Sequence, residues 1–145
     1  MPLQDQHAVA FIIDTLRAEP ANTVTLCPLG PLTNIATAFQ KAPDVVEKVQ
    51  EIVLMGGGYF EQGNITPSAE FNIYVDPHAA HVVLTAGIPT TLITLDTTHQ
   101  VLTTPERLAA IRTIGGPISA AAAGMLAFYG QSDLERYGLP GAPLH

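Results

Sequence analysis

The stretch "NTVTLCPLGPLTNIATAFQKAPDVVEKVQEIVLMGGG", residues 22–58, decides the fold. It opens on a β-branched run around Val24 and Thr25, bounded by Asn22 and Pro28, which has the composition of a short strand. Next, Leu32, Ile35, Ala36 and Phe39 recur three and four residues apart, the spacing of one helix face. Pro31 is tolerated in the first turn, where its missing N–H has no partner to lose. "EIVLMGGG" is strand-like again and runs into glycines. Strand, helix and strand at this spacing predict a parallel βαβ unit, because a parallel return needs a crossover that packs on the sheet.

The same alternation continues outward. Before it, "HAVAFIIDTLRAE" sets Val9, Ile12, Ile13 and Leu16 on one helical face, ended by Pro20. After it, "DPHAAHVVLTAG" starts with Asp76 as N-cap and Pro77 at the first helical position, and Gly87 closes it. "IPTTLITLD" reads as a third strand, "TTPERLAAIRTIGG" repeats the cap-then-proline device at Thr104 and Pro105, and a last helix is predicted from about Pro117 to Tyr129. "SAAAAG" at 119–124 suits close helix packing. The expected fold is α/β, a mostly parallel sheet flanked by helices, within a single domain over residues 1–145.

Composition excludes several classes of function. The chain is 47% hydrophobic and 13% charged, a profile that supports a packed core. A net charge of −7, with only six Lys and Arg dispersed along the length, argues against a nucleic-acid partner. No apolar run approaches the ~18 residues of a membrane span, and "MPLQDQHAV" does not read as a secretory signal. The expectation is a cytoplasmic protein with no membrane partner. The one cysteine, Cys27, lies in the apolar run "TVTLCPLG" and is expected to be a buried structural thiol.

Ligands of parallel sheets gather at the carboxyl ends of the strands. Three segments qualify: 28–32, 55–72 and 96–100. The longest contains "GNITPSAEFN", where Asn64, Glu70 and Asn72 crowd around Phe71. Two amides and a carboxylate suit a polyhydroxylated ligand such as a sugar. In an extended segment Glu70 and Asn72 would share one side, with Phe71 opposite. A solvated polar loop fits the same spacing, and the residues alone leave both open. "MGGG" lacks the elements of a phosphate loop and reads as a strand-end turn. Asp96 in "LDTTHQ" reads as a turn residue, and His78, His81 and His99 as surface residues. No aspartate-rich cluster exists from which a metal site could be completed.

Taken together, "LGPLTNIA" at 29–36, "IVLMGGG" at 52–58, "GNITPSAEFNIYVDPHAA" at 63–80 and "GAPLH" at 141–145 resemble the inosine-uridine preferring nucleoside hydrolases, in the family's order and over nearly the whole chain. The resemblance implies hydrolysis of the N-glycosidic bond of ribonucleosides to ribose and free base, with a bound Ca²⁺, on a largely parallel α/β fold in a homodimer or homotetramer. It assigns Asn64, Glu70 and Asn72 to the ribose hydroxyls and the 5′-hydroxyl, and Met55 to the wall of the sugar pocket. Leu29 falls where the family offers a backbone carbonyl to Ca²⁺. His145 matches the histidine that assists the departing base, and Tyr129 lies near a base-contacting region. The chemistry is coherent: the sugar acquires oxocarbenium character as the bond breaks, and oxygen-rich side chains around the ribose stabilise it.

The family's N-terminal aspartate cluster and the aspartate after its histidine have no counterpart here. An internal portion of such a hydrolase is therefore expected, incomplete at both ends, with the ribose-binding part of the site present and little or no turnover by the chain alone. The alternatives are a non-catalytic sugar- or nucleoside-binding module, or an inactive truncated remnant.

Overall fold

The computed structural model describes residues 3–144, and of residues 132–137 only the backbone. The chain divides between Leu95 and Asp96 into two compact units.

The first unit holds helix α1 (Ala8–Ala18), strand β1 (Val24–Leu26), helix α2 (Thr33–Lys41), a 3-10 helix (Pro43–Lys48), strand β2 (Val49–Met55), the short helix α3 (Phe71–Val75), helix α4 (Pro77–Leu84) and strand β3 (Thr90–Ile93). The sheet order is β1-β2-β3 and both pairings are parallel, with Leu26 opposite Ile52 and Met55 opposite Ile93. This is the fold expected from the alternation of strands and helices.

The core forms because each element gives one apolar side to the same volume. Leu16 of α1, Ala36 and Phe39 of α2, Val45 of the 3-10 helix, Ile52 and Leu54 of β2, and Ala79, Ala80 and Val83 of α4 are buried in one cluster. Ile52 and Leu54 are two apart and so face the same way, and both are essentially inaccessible. Alanines at 36, 79 and 80 let α2 and α4 approach each other closely. Leu32, which caps α2 rather than lying within it, is also buried there, so Pro31 stands just outside the helix. The 3-10 helix carries no strong apolar period in the sequence, yet Val45 is fully buried and Arg17 grips Asp44 through two hydrogen bonds of 2.8 and 2.9 Å.

Cys27 is exposed, contrary to expectation. It lies one residue beyond β1, outside the paired part of the strand.

The second unit begins in the short helix α5 (Leu95–Thr98) and continues through strand β4 (Leu102–Thr103), helices α6 (Pro105–Ile114) and α7 (Gly116–Tyr137), and strand β5 (Ala142–Pro143). Strands β4 and β5 pair antiparallel. Thr104 caps α6 by accepting from the Arg107 N–H, as the cap-then-proline pattern implies. The turn into α7 passes through Gly115 and Gly116, both with φ near +80°, a conformation that favours glycine. Ser119 and Ala123 are buried, and the Ser119 hydroxyl donates to the Ile111 carbonyl, which matches the expected close packing. The last helix runs a further two turns beyond its expected end. Among the described residues no helix is long and apolar enough to cross a membrane.

Candidate functional site

The carboxyl end of β2 is where the polar side chains collect. Strand β2 ends at Met55, whose N–H donates to Pro28 O at 3.0 Å, while the Gly56 N–H donates to Ile93 O at 3.1 Å. The loop after β1 and the end of β3 are thereby tied to the strand between them. Gly57 turns the chain out of the sheet with φ +75°.

The returning chain is built from two nested turns. The Thr66 hydroxyl accepts from the Ala69 N–H at 2.9 Å, and the Gly63 N–H donates to Pro67 O at 3.1 Å. Gly63 is packed so tightly against Thr66 and Ala69 that a Cβ would collide with their backbone. Asn64 is placed by this turn, and its Oδ1 accepts from the Phe71 N–H at 2.8 Å.

Glu70 follows as the N-cap of α3 and is 3% exposed. Its Oε1 accepts from the Asn72 N–H at 2.9 Å, and its Oε2 from the Gly57 N–H at 3.0 Å and the Ile73 N–H at 3.3 Å. One carboxylate thus satisfies a helix terminus and the strand-end turn together. Asn72 turns its Nδ2 toward Met55, 3.2 Å from the carbonyl oxygen and 3.3 Å from Sδ, which leaves its Oδ1 for another donor.

Met55, Asn64, Glu70 and Asn72 are therefore brought together. The reason differs from the expected one. Phe71 starts a helix, so Glu70 and Asn72 do not alternate along an extended segment; they meet because the Glu70 side chain folds over the first turn. Nothing in the sequence flagged this, since glutamate is not a favoured N-cap residue. The Gly57 N–H was missed for the same reason. The Thr66 turn was legible in "ITPSA" as a hydroxyl turn signal.

A second tie lies beside the cluster. The Thr33 hydroxyl donates to Asp76 Oδ2 at 2.6 Å, while Asp76 Oδ1 accepts from the Ala79 N–H at 2.9 Å and caps α4. These two hydrogen bonds hold the Asp76 carboxyl below its ordinary range, the Thr33 hydroxyl contributing most.

The other candidates lie on other segments of the chain. Leu29 is 81% exposed in the loop after β1. Tyr129 is half exposed on α7, in the second unit. His145 lies outside the described residues, although the "GAPL" before it is described and includes β5. Asp96 lies in the first turn of the short helix α5 rather than in an isolated turn, and His99, expected at the surface, is half-buried, whereas His78 and His81 are exposed. Among the described residues no group of three or more His, Cys, Asp or Glu could hold a metal ion. One exposed leucine carbonyl is a single neutral donor, so the described residues do not by themselves fit a Ca²⁺ ion, which takes six to eight oxygens.

The arrangement can grip a small polyol: hydrogen-bonding groups converge beside an apolar thioether, on a frame tied to all three strands. Comparison with known proteins supplies the family. Residues 1–145 match the inosine-uridine preferring nucleoside hydrolases. An uncharacterized protein of Schizosaccharomyces pombe is 49% identical over 139 residues, 96% of this chain and 45% of that protein. The pyrimidine-specific ribonucleoside hydrolase RihB of Escherichia coli is 46% identical over 142 residues, 98% of this chain and 45% of its own. Among solved structures, a purine-preferring ribonucleoside hydrolase from Gardnerella vaginalis superposes with a TM-score of 0.90 at 36% identity, over 100% of this chain and 46% of that one. The chain thus spans a little under half the length of these relatives. With the motifs, the parallel sheet and the match over its full length in agreement, the chain belongs to the family of inosine-uridine preferring nucleoside hydrolases.

Proposed function

We propose that this chain carries the ribose-binding part of a ribonucleoside N-glycosidase. The observation that supports this best is the convergence of Asn64, Glu70, Asn72 and Met55 at the carboxyl end of β2. In the reaction the C1′–N bond breaks with its electron pair departing on the base nitrogen, which takes up a proton. Water oxygen bonds to C1′ and loses a proton. Asn64, Glu70 and Asn72 would hold the ribose hydroxyls and the 5′-hydroxyl, fix the ring pucker and face the developing positive charge with oxygen atoms, a role that needs no movement during the reaction. Met55 would give the sugar its apolar wall.

His145 is assigned the proton delivered to the leaving base, and Tyr129 a contact to that base. Ca²⁺ belongs to this reading through the family, with the Leu29 carbonyl as one of its ligands; the roles of the ribose-gripping residues do not run through the ion. The complete protein would act as a cytoplasmic homo-oligomer in nucleoside salvage, its two units parts of one domain.

The test is a ribose-release assay on inosine and uridine with added Ca²⁺, run beside a ribose titration. The 145-residue chain is expected to bind ribose and release none from either nucleoside. Clear turnover overturns the expectation that this chain alone is inactive, and failure to bind ribose overturns the proposed function itself.

A further inference from the structure

Helix α7 buries small side chains and exposes large ones. Ser119, Ala123 and Gly130 lie on its buried side, and a Cβ at Gly130 would meet the Ala142 Cβ at 2.7 Å. Ile118, Met125 and Phe128 face outward, 85%, 67% and 80% exposed, and Ile114, just before the turn into the helix, is 78% exposed. No charged residue occurs from 113 to 132. A helix at a protein surface ordinarily turns charged and polar groups to water. This one turns an uncharged apolar stripe outward, in a chain whose net charge is −7.

The stripe has the spacing of a helix–helix seam. Ile118, Ala122 and Met125 stand four and three residues apart, and Phe128 flanks them. Ala122, between two larger residues, leaves a notch that a facing side chain can enter. The fitting partner is a helix with an uncharged apolar stripe of the same pitch, and α7 of a second copy supplies one. Pairing about a two-fold axis sets ridge against notch on both sides at once. The exposed side chains offer on the order of 500 Å² per copy, or ~1,000 Å² in a pair, the lower end for a specific interface. A membrane surface fits less well, because residues 113–132 hold no lysine or arginine to meet anionic headgroups.

We propose that the outward face of α7 is a self-association surface, through which two copies of this chain pair by Ile118, Met125 and Phe128. The proposal rests on the homo-oligomer reading given above and names the surface that makes the contact. It is independent of the sugar-gripping cluster.

The experiment is sedimentation velocity on the 145-residue chain from about 1 to about 200 μM, with a reductant that keeps the exposed Cys27 from cross-linking. A reversible monomer–dimer equilibrium is expected, with a Kd on the order of 10 μM, as suits so small an interface. Added salt should tighten it, because the contact is uncharged and the copies carry like net charge. Ile118→Lys and Met125→Lys should each weaken it at least tenfold. Phe11→Lys, at an exposed aromatic on α1, should leave it unchanged. All three side chains are exposed, so each variant should keep the thermal transition that the dilute parent shows by circular dichroism. A chain that stays monomeric over the whole range overturns both the surface and self-association of this chain. A dimer that survives both α7 variants overturns the surface and leaves the homo-oligomer reading standing. Equal weakening by Phe11→Lys, or dissociation by salt, also overturns the surface.

Discussion

Glu70 shows how one side chain can organise a loop and still have room for a ligand. Its carboxylate is almost wholly buried and accepts three backbone N–H groups, two from the first turn of α3 and one from Gly57. A carboxylate has about four lone-pair positions, so the three bonds leave room for one more donor, such as a sugar hydroxyl. Glu70→Ala strands those N–H groups in a protein interior, at about 1–3 kcal/mol for an unsatisfied buried donor, some of it recovered by water entering the gap. Urea unfolding should therefore show a loss of about 2–3 kcal/mol. A loss below about 0.5 kcal/mol would mean that the carboxylate does not organise the loop. Substrate-binding experiments on this variant consequently need a fold control, whereas Asn72→Ala removes fewer contacts and isolates the ligand role better. Cys27 gives the opposite lesson about single residues: composition of the neighbouring sequence placed it inside, and it stands exposed just beyond the paired part of β1.

Among the elements, those with strong periodicity and a capping signal were readable. Helix α1 with its four-residue face, α4 with its Asp76 cap, and α6 with Thr104 and Pro105 all form where the sequence indicates. The 3-10 helix and α3 were not, because each is too short to show a period and α3 is capped by an atypical residue. Strands β4 and β5 escaped for a related reason, being two residues each and paired across a long sequence separation. The tie between α2 and α4 is also a tertiary fact: Thr33 and Asp76 are 43 apart in sequence. It has a pH signature. The Asp76 carboxyl is held below its usual value of 3.8 by the Thr33 hydroxyl and the Ala79 N–H. A depressed folded-state value makes the carboxylate contribute its full stabilisation above the unfolded value, and that contribution fades as pH falls through the folded one. Thermal melts from pH 6 down to pH 2 should thus show a steeper acid loss in the parent than in Thr33→Val, the two curves converging at the acid end. Parallel curves would contradict the tie.

On the scale of the whole molecule, the sequence carried the fold class and singled out the polar residues that cluster at the end of β2, but not why they meet. The motif "GNITPSAEFN" was ambiguous between a solvated loop and a ligand grip; hydrogen bonds from Gly57, Phe71 and Met55 resolve its local structure into an anchored cluster. The proposed ribose site lies at the carboxyl end of β2. Backbone amide chemical-shift mapping of the 145-residue chain titrated with ribose tests it most directly. Saturable shifts centred on Gly57, Asn64, Phe71 and Asn72, weakened at least tenfold in affinity by Asn72→Ala, are the expected result; absence of saturable shifts, or shifts centred elsewhere in the chain, would contradict it.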